Sequence, residues 1–314
     1  MPKPKSAHPK SSGRLEALLR ARAFVMTAET SPPDGATPAA VLARSGSLKG
    51  LADAVNVTDG AGAKVHMSAL PAAAILAHHG IEPVLQLTVR DRNRLALQGD
   101  LIGAAALGIH NILCLHGDDP KNGDQPETKP VYDIDSRALM STARHLSREG
   151  KLPSGRHIDP APHLFIGAAD SPVDPKPEWK PVGLAAKADA GADFIQTQYC
   201  FDLAMLRRYV ARLAEHGVLE RLSLIVGIGP LASAKSARWM NESLFGVHIP
   251  DSIVKRLDHA SDQRAEGRKI CIELLQELAE IEGVSGAHLM APRQEQAIAE
   301  AISESGLLKK REAA

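Results

Sequence analysis

A closed barrel of eight parallel strands, each followed by a helix, is the fold this sequence predicts, on three observations. Short apolar runs alternate with longer amphipathic stretches from residue 24 to residue 291. The runs are continuously apolar rather than alternating, the pattern of strands covered on both faces. The 314 residues also match the roughly 250 of a single (β/α)8 barrel plus tails.

The elements follow in order. Strands are predicted at 24–29, 54–58, 83–88, 111–115, 163–167, 193–198, 222–227 and 287–291. Helical stretches intervene, among them 92–107, 181–190, 203–216, 233–241 and a long one over 253–281. One domain, 14–308, is expected between a Pro/Lys/Ser-rich tail, 1–13, and a short charged end, 309–314. A doubly wound open sheet is the competing fold, but its GxGxxG signature after the first strand is absent. Thr30-Ser31-Pro32-Pro33-Asp34-Gly35 stands there instead, and the later Gly227-Ile228-Gly229-Pro230 carries a proline on a late strand.

Composition narrows the function classes. Hydrophobic residues make up 44% and charged residues 24%, as in an ordinary soluble globular domain. That excludes a disordered, collagenous or disulfide-scaffold chain. Lys plus Arg equal Asp plus Glu at 37 each, so nothing calls for nucleic acid or an anionic membrane. The longest apolar runs, such as 101–109, are about half of what spans a bilayer. No signal peptide is visible behind the basic first residues, and the reading is cytoplasmic. Cys114, Cys200 and Cys271 show no CxxC spacing and read as buried, inert thiols, with no metal site implied.

In a barrel, chemistry gathers at the C-terminal strand ends. Those ends carry Glu29, then Thr58 and Asp59, Gln86 and Thr88, His116 and Asp118. The second half supplies Asp170, Gln196 and Gln198, His288 and Arg293. Glu29 precedes a stiff Ser-Pro-Pro, which suits a carboxyl held in one place; partial desolvation would fit it for general acid work. His116-Gly117-Asp118-Asp119-Pro120 reads either as a turn or as a close backbone approach to a planar ligand with Asp118 pointing at it. A metal at His116 and the aspartates lacks a second ligand cluster. Gln196 and Gln198 share a strand face. A buried amide left unpaired costs about 1–3 kcal/mol, so either a bound heterocycle or a side-chain network must satisfy them. Arg90, Arg92 and Arg94 gather at a loop and helix start, a solvated face or an anion site.

Together these stretches resemble the methylenetetrahydrofolate reductase family, from about residue 24 to residue 293. The carrying segments are Ala28-Glu29-Thr30-Ser31-Pro32-Pro33, residues 87–120 (LTVRDRNRLALQGDLIGAAALGIHNILCLHGDDP) and 187–202 (KADAGADFIQTQYCFD), supported by 226–231 (VGIGPL) and 284–291 (VSGAHLMA). The resemblance implies a barrel that holds FAD and takes hydride from NADH or NADPH. The hydride passes to 5,10-methylenetetrahydrofolate, giving 5-methyltetrahydrofolate. It assigns Glu29 as the general acid that opens the folate's five-membered ring to an iminium, and Asp118 as the aspartate beside flavin and pterin. Gln198, with Gln196 and Arg293, falls on the substrate side. Thr58, Asp59, Gln86, Thr88, His116, Gly117, Tyr132, Asp135, Ala168 and Lys187 fall with Asp118 on the cofactor side.

The chain departs from the family at Gln86, at His116, where the family has Arg, and over residues 168–175. Small residues 232–234 also stand where an aromatic is expected. Two alternatives rest on these departures. Hydride could pass directly from nicotinamide to folate without flavin, or the chain could be a non-redox folate-binding subunit of a methyl-transfer complex. Retention of Glu29, Asp118 and Gln198 together speaks against the second. The partners implied are small molecules, with a homo-oligomer as the assembly to look for.

Overall fold

The computed structural model describes residues 9–312. Eight parallel strands close into a barrel in chain order, with β8 pairing β1. The strands are β1 Val25–Thr30, β2 Ala54–Val57, β3 Pro83–Thr88, β4 Asn111–Leu115, β5 Phe165–Asp170, β6 Phe194–Tyr199, β7 Ser223–Ile228 and β8 Val284–Leu289. The helices are α1 Arg14–Arg20, α2 Pro38–Ser45, α3 Ala69–His78, α4 Arg94–Ala106, α5 Ser136–Glu149 and α6 Val182–Asp189. They continue with α7 Leu203–Glu215, α8 Ala234–Ser243, α9 Asp251–His259, α10 Gln263–Ala279, α11 Glu295–Glu304 and α12 Leu307–Glu312.

Period-2 alternation sorts every strand onto two faces. Outward residues such as Met26, Val55, Leu85, Ile112, Ile166, Ile195, Val226 and Leu289 pack under the helices in the main apolar core. Inward residues fill the barrel in layers. At the bottom Val25, Ala54, Val84, Leu113, Phe165, Phe194 and Ile225 meet Leu15 and Leu19 of α1, which stoppers that end. Gly167 makes room there, because a Cβ on it would overlap the Phe194 ring. Above this apolar layer lies a polar one, and above that the mouth.

Several boundaries differ from expectation for local reasons. β8 begins at Val284 rather than residue 287, because Val284 and Gly286 already pair with β7 and Gly286 with Val25 of β1. The long helix expected over 253–281 breaks into α9 and α10 where Asp262 accepts from the backbone N–H groups of Arg264 and Ala265 and caps a new helix. α8 and α9 form an excursion, and α10 covers the barrel through Gly267, packed against the Leu231 carbonyl. The glycines of Gly227-Ile228-Gly229-Pro230 serve close packing: a Cβ on either would run into the backbone oxygens of Thr197 or Met290.

The chain ends are more ordered than a tail reading implies. Residues 1–8 lie outside the described residues. Of the rest, Lys10 pairs with Asp193, and the Ser11 N–H and hydroxyl donate to the Glu16 carboxylate. The expected charged end contributes to helix α12. Its Arg311 donates to both oxygens of Asp53 at 2.6 and 2.8 Å. Asp53, just before β2, is 2% exposed. It also accepts from Arg14 of α1 at 3.1 Å and from the Met26 N–H at 2.9 Å. Burial pushes the thiols of Cys114, Cys200 and Cys271 up to about 12.

Two outcomes are expected. Gly167→Ala should overpack the bottom layer and cost about 1–3 kcal/mol in urea unfolding, with Phe194→Leu added to it restoring much of the loss. Thiol reagents at mildly alkaline pH should label none of the three cysteines in the native chain and all three once it is unfolded.

Candidate active site

The polar layer forms the floor of the site. Asn56 of β2 and Gln196 of β6 face each other across the barrel and exchange two hydrogen bonds. Asn56 Nδ2 donates to Gln196 Oε1 at 2.7 Å, and Gln196 Nε2 donates to Asn56 Oδ1 at 3.0 Å. Gln196 Nε2 also donates to Thr27 Oγ1 at 3.1 Å, and Thr27 Oγ1 lies 2.9 Å from His288 Nδ1. All four side chains are buried. An unpaired amide at that depth would be costly, and the reciprocal pair removes the cost.

Glu29 stands one inward step above Thr27 on β1. Its Oε2 accepts from Gln86 Nε2 of β3 at 3.0 Å and lies 3.6 Å from His288 Nε2 of β8. The Glu29 side chain is 22% exposed, so one oxygen is anchored while the other faces the mouth. Tyr199 of β6 flanks it; burial, and then the nearby Glu29 charge, push its phenol well above the ordinary range. Gln198 is half-buried, with Oε1 accepting from the Tyr199 N–H at 2.9 Å, which leaves its Nε2 as a donor.

The rim over β2 to β4 is a mesh of protein–protein bonds. Asp59 accepts from the Thr88 N–H at 2.8 Å and the Thr88 hydroxyl at 3.0 Å, and pairs with Arg92. Arg90 is 4% exposed and forks onto Asp91, donating also to the carbonyls of Gly60 and Asp118 at 3.2 and 3.1 Å. Gly117 is needed beside it: φ is +96°, and a Cβ would fall 2.9 Å from Arg90 Cβ. Asp118 is exposed and accepts from the Gly62 N–H at 2.7 Å. The His116 and Tyr132 rings stack at 4.4 Å. A cleft of about 320 Å³ opens beside this mesh, lined by Lys64, His66, Arg92 and Asp124 among others.

Several expected site residues serve elsewhere. Gln196, expected on the substrate side, has both amide ends engaged in the floor. Ala168 faces outward into the helix-side core and is fully buried, so its side chain reaches no cofactor. Asp135 is exposed and caps α5, accepting from the Ala138 N–H at 2.7 Å. Lys187 donates to the Ala169 carbonyl at 2.6 Å and lies 3.4 Å from Asp170, which also holds the Tyr209 hydroxyl. Arg293 is exposed in a left-handed turn (φ +61°), near Asp34 on the rim. Asn56 and Thr27 carry no expectation from the sequence, Arg90 is expected only within an arginine cluster, and His288 only as a strand-end residue. Asn56 between two valines was the one signal available.

Set against the flavin that the resemblance implies, the cofactor-side residues are in part already engaged. Asp59, Thr88, Asp135 and Lys187 bond to the protein itself, and Gln86 and Asp118 do so through one side-chain atom each. Of that set the Thr58 hydroxyl alone is recorded as buried without a partner. Among the described residues no group of three His, Cys, Asp or Glu side chains has the arrangement of a metal site.

A (β/α)8 barrel with an anchored carboxyl rising from a polar floor is a protein of the kind that works at its C-terminal face. The chain belongs to the methylenetetrahydrofolate reductase family, whose model matches residues 14–306. Methylenetetrahydrofolate reductase 2 of Schizosaccharomyces pombe is 27% identical over 261 residues, 80% of this chain and 40% of that protein. The probable methylenetetrahydrofolate reductase (NADPH) of Caenorhabditis elegans is 28% identical over 254 residues, 78% of this chain and 35% of that protein. The chain thus spans well under half the length of these curated relatives. Among solved structures, an uncharacterized Clostridium thermocellum protein that binds two copies of 5-methyl-5,6,7,8-tetrahydrofolic acid shares the fold. Its TM-score is 0.58 at 14% identity, over 94% of this chain and 99% of that one. No described helix is long and apolar enough to cross a membrane.

The floor makes a direct prediction. Asn56→Leu or Gln196→Leu alone should cost about 1–3 kcal/mol by stranding a buried amide. The double replacement should cost clearly less than the two losses added, which a double-mutant cycle in urea will read.

Proposed function

We propose that the chain reduces 5,10-methylenetetrahydrofolate to 5-methyltetrahydrofolate with a hydride from NADH or NADPH. The observation that carries this reading is Glu29. Its carboxyl is anchored through one oxygen while the side chain stays 22% exposed, in a chain that belongs to the family. The proton on Glu29 goes to a nitrogen of the folate's five-membered ring. That C–N bond breaks, leaving an iminium at the bridging carbon. The hydride adds to that carbon and completes the methyl group, while the nicotinamide is oxidised. Gln198 Nε2 is the donor available to the pterin edge, and Asp118 and Arg293 line the rim. The same fold accommodates 5-methyltetrahydrofolate in the Clostridium thermocellum protein, and the name of the Caenorhabditis elegans relative specifies NADPH.

Two routes for the hydride belong to this reading. The family resemblance implies FAD as carrier between nicotinamide and folate. The self-bonded rim favours the second route, in which nicotinamide delivers hydride to the folate directly. A colourless preparation that couples NADH or NADPH oxidation to the folate without added FAD is the expected result. A flavin spectrum at near-unit occupancy, with activity lost on its removal, would return the FAD route. Folate binding without turnover under either condition would leave a non-redox folate-binding subunit.

Glu29→Gln should retain folate binding and lower kcat by about 10²–10⁴-fold, the usual contribution of a general acid. Near wild-type turnover in that variant would remove Glu29 from the chemistry. Gln198→Ala should raise the folate KM by the equivalent of about 1–3 kcal/mol, read in steady-state kinetics at fixed nicotinamide concentration.

A further inference from the structure

We infer that His288 is a positioning residue for Glu29, and that Asn56, Gln196 and Thr27 serve to fix which of its ring nitrogens carries the proton. The inference rests on the reading of Glu29 as the proton donor. Gln196 Nε2 gives one hydrogen to Asn56 Oδ1 and the other to Thr27 Oγ1. Thr27 Oγ1 therefore acts as an acceptor from Gln196, and its own proton turns to an acceptor. The near one is His288 Nδ1 at 2.9 Å, against 3.5 Å for the Ala287 carbonyl. Nδ1 is then bare, and the single ring proton of neutral imidazole sits on Nε2. Nε2 is the nitrogen that faces Glu29 Oε2.

The consequence for the acid is specific. At 3.6 Å the Nε2–H is beyond hydrogen-bond length from the carboxyl. With Gln86 Nε2 already on Oε2, the transferable proton belongs on Oε1, toward the mouth. Once that proton has left, Glu29 is an anion, and the Nε2–H dipole already aimed at Oε2 closes on it. A donor that strengthens its hold only as charge develops lowers the barrier without tightening the ground state. The titratable groups facing Glu29 are His288 from β8 and Tyr199 from β6. Gln86 from β3 and Asn56 from β2 are uncharged, and Glu295 reaches only the outward-facing Thr30.

A long-range proton–nitrogen correlation spectrum of the histidine rings in the intact chain tests the tautomer without any turnover. The expected result at neutral pH is His288 with Nε2 protonated and Nδ1 bare; the opposite tautomer, or a charged ring, overturns the inference. Gln196 Nε2 also lies 3.4 Å from His288 Nδ1, a second donor facing the same bare nitrogen. Thr27→Val keeps the shape of the floor, removes the hydroxyl and leaves Gln196 as the one donor to Nδ1. The Nδ1 resonance should shift in that variant while Nε2 keeps its proton, and an unmoved Nδ1 resonance would also overturn the inference.

Kinetics give the second arm. His288→Asn removes the donor at the Nε2 position and should lower kcat about tenfold, part of the about 10²–10⁴-fold the acid supplies, with folate KM nearly unchanged. His288→Gln, which returns an amide N–H to that position, should recover most of the lost kcat. Equal kcat losses in the two variants, or a matching rise in folate KM, would make His288 a structural residue only. If the tautomer holds but no variant or wild type reduces folate, the proposed activity fails and the positioning geometry does not.

Discussion

The interior of this barrel depends on one reciprocal bond, the amide pair between Asn56 and Gln196. A barrel of eight strands has just enough interior to be filled by side chains, and the cheap filling is apolar, as it is at the bottom. A polar layer halfway up is sustainable only if nearly every donor meets an acceptor. Two strands on opposite sides of the barrel contribute complementary amides, and Thr27 and His288 close the remaining valences. With the floor satisfied from within, the next inward residue of β1 can be a carboxyl held by its neighbours rather than swallowed or washed by water.

The rim obeys a different economy of charge. Asp59, Arg90, Asp91 and Arg92 neutralise one another, and Asp118 is tied to the Gly62 backbone. These bonds join the loops after β2, β3 and β4 into one piece. A ligand arriving over those strands meets a largely paired surface, while Gln198 Nε2 on β6 is left as a donor on the other side of the mouth.

Much of the architecture was legible in the sequence because the barrel repeats one local rule. Continuous apolar runs located all eight strands, two of them, β3 and β4, with both ends correct. The place of Glu29 near the end of β1 was legible for the same reason: it follows an apolar run and comes shortly before two prolines. What escaped is what depends on distant pairing. The choice between a heterocycle and a network for Gln196 is settled by Asn56, 140 residues earlier in the chain. The end of the chain looked like a solvated tail because Arg311 finds its partner 258 residues away. Ala168 shows the opposite limit, where a residue matched by family position turns out to point away from the mouth.

Asp53 gives the molecule a property unrelated to its chemistry. By gripping Arg14 and Arg311 together at the floor end of the barrel, it brings the first and last helices to one spot. Helices α1 and α12 are thereby clasped by ion pairs at a point where β1 and β8 already meet edge to edge. The barrel's seam is closed twice, once by backbone hydrogen bonds and once by charge, so fraying of either helix would have to unpick a buried carboxylate.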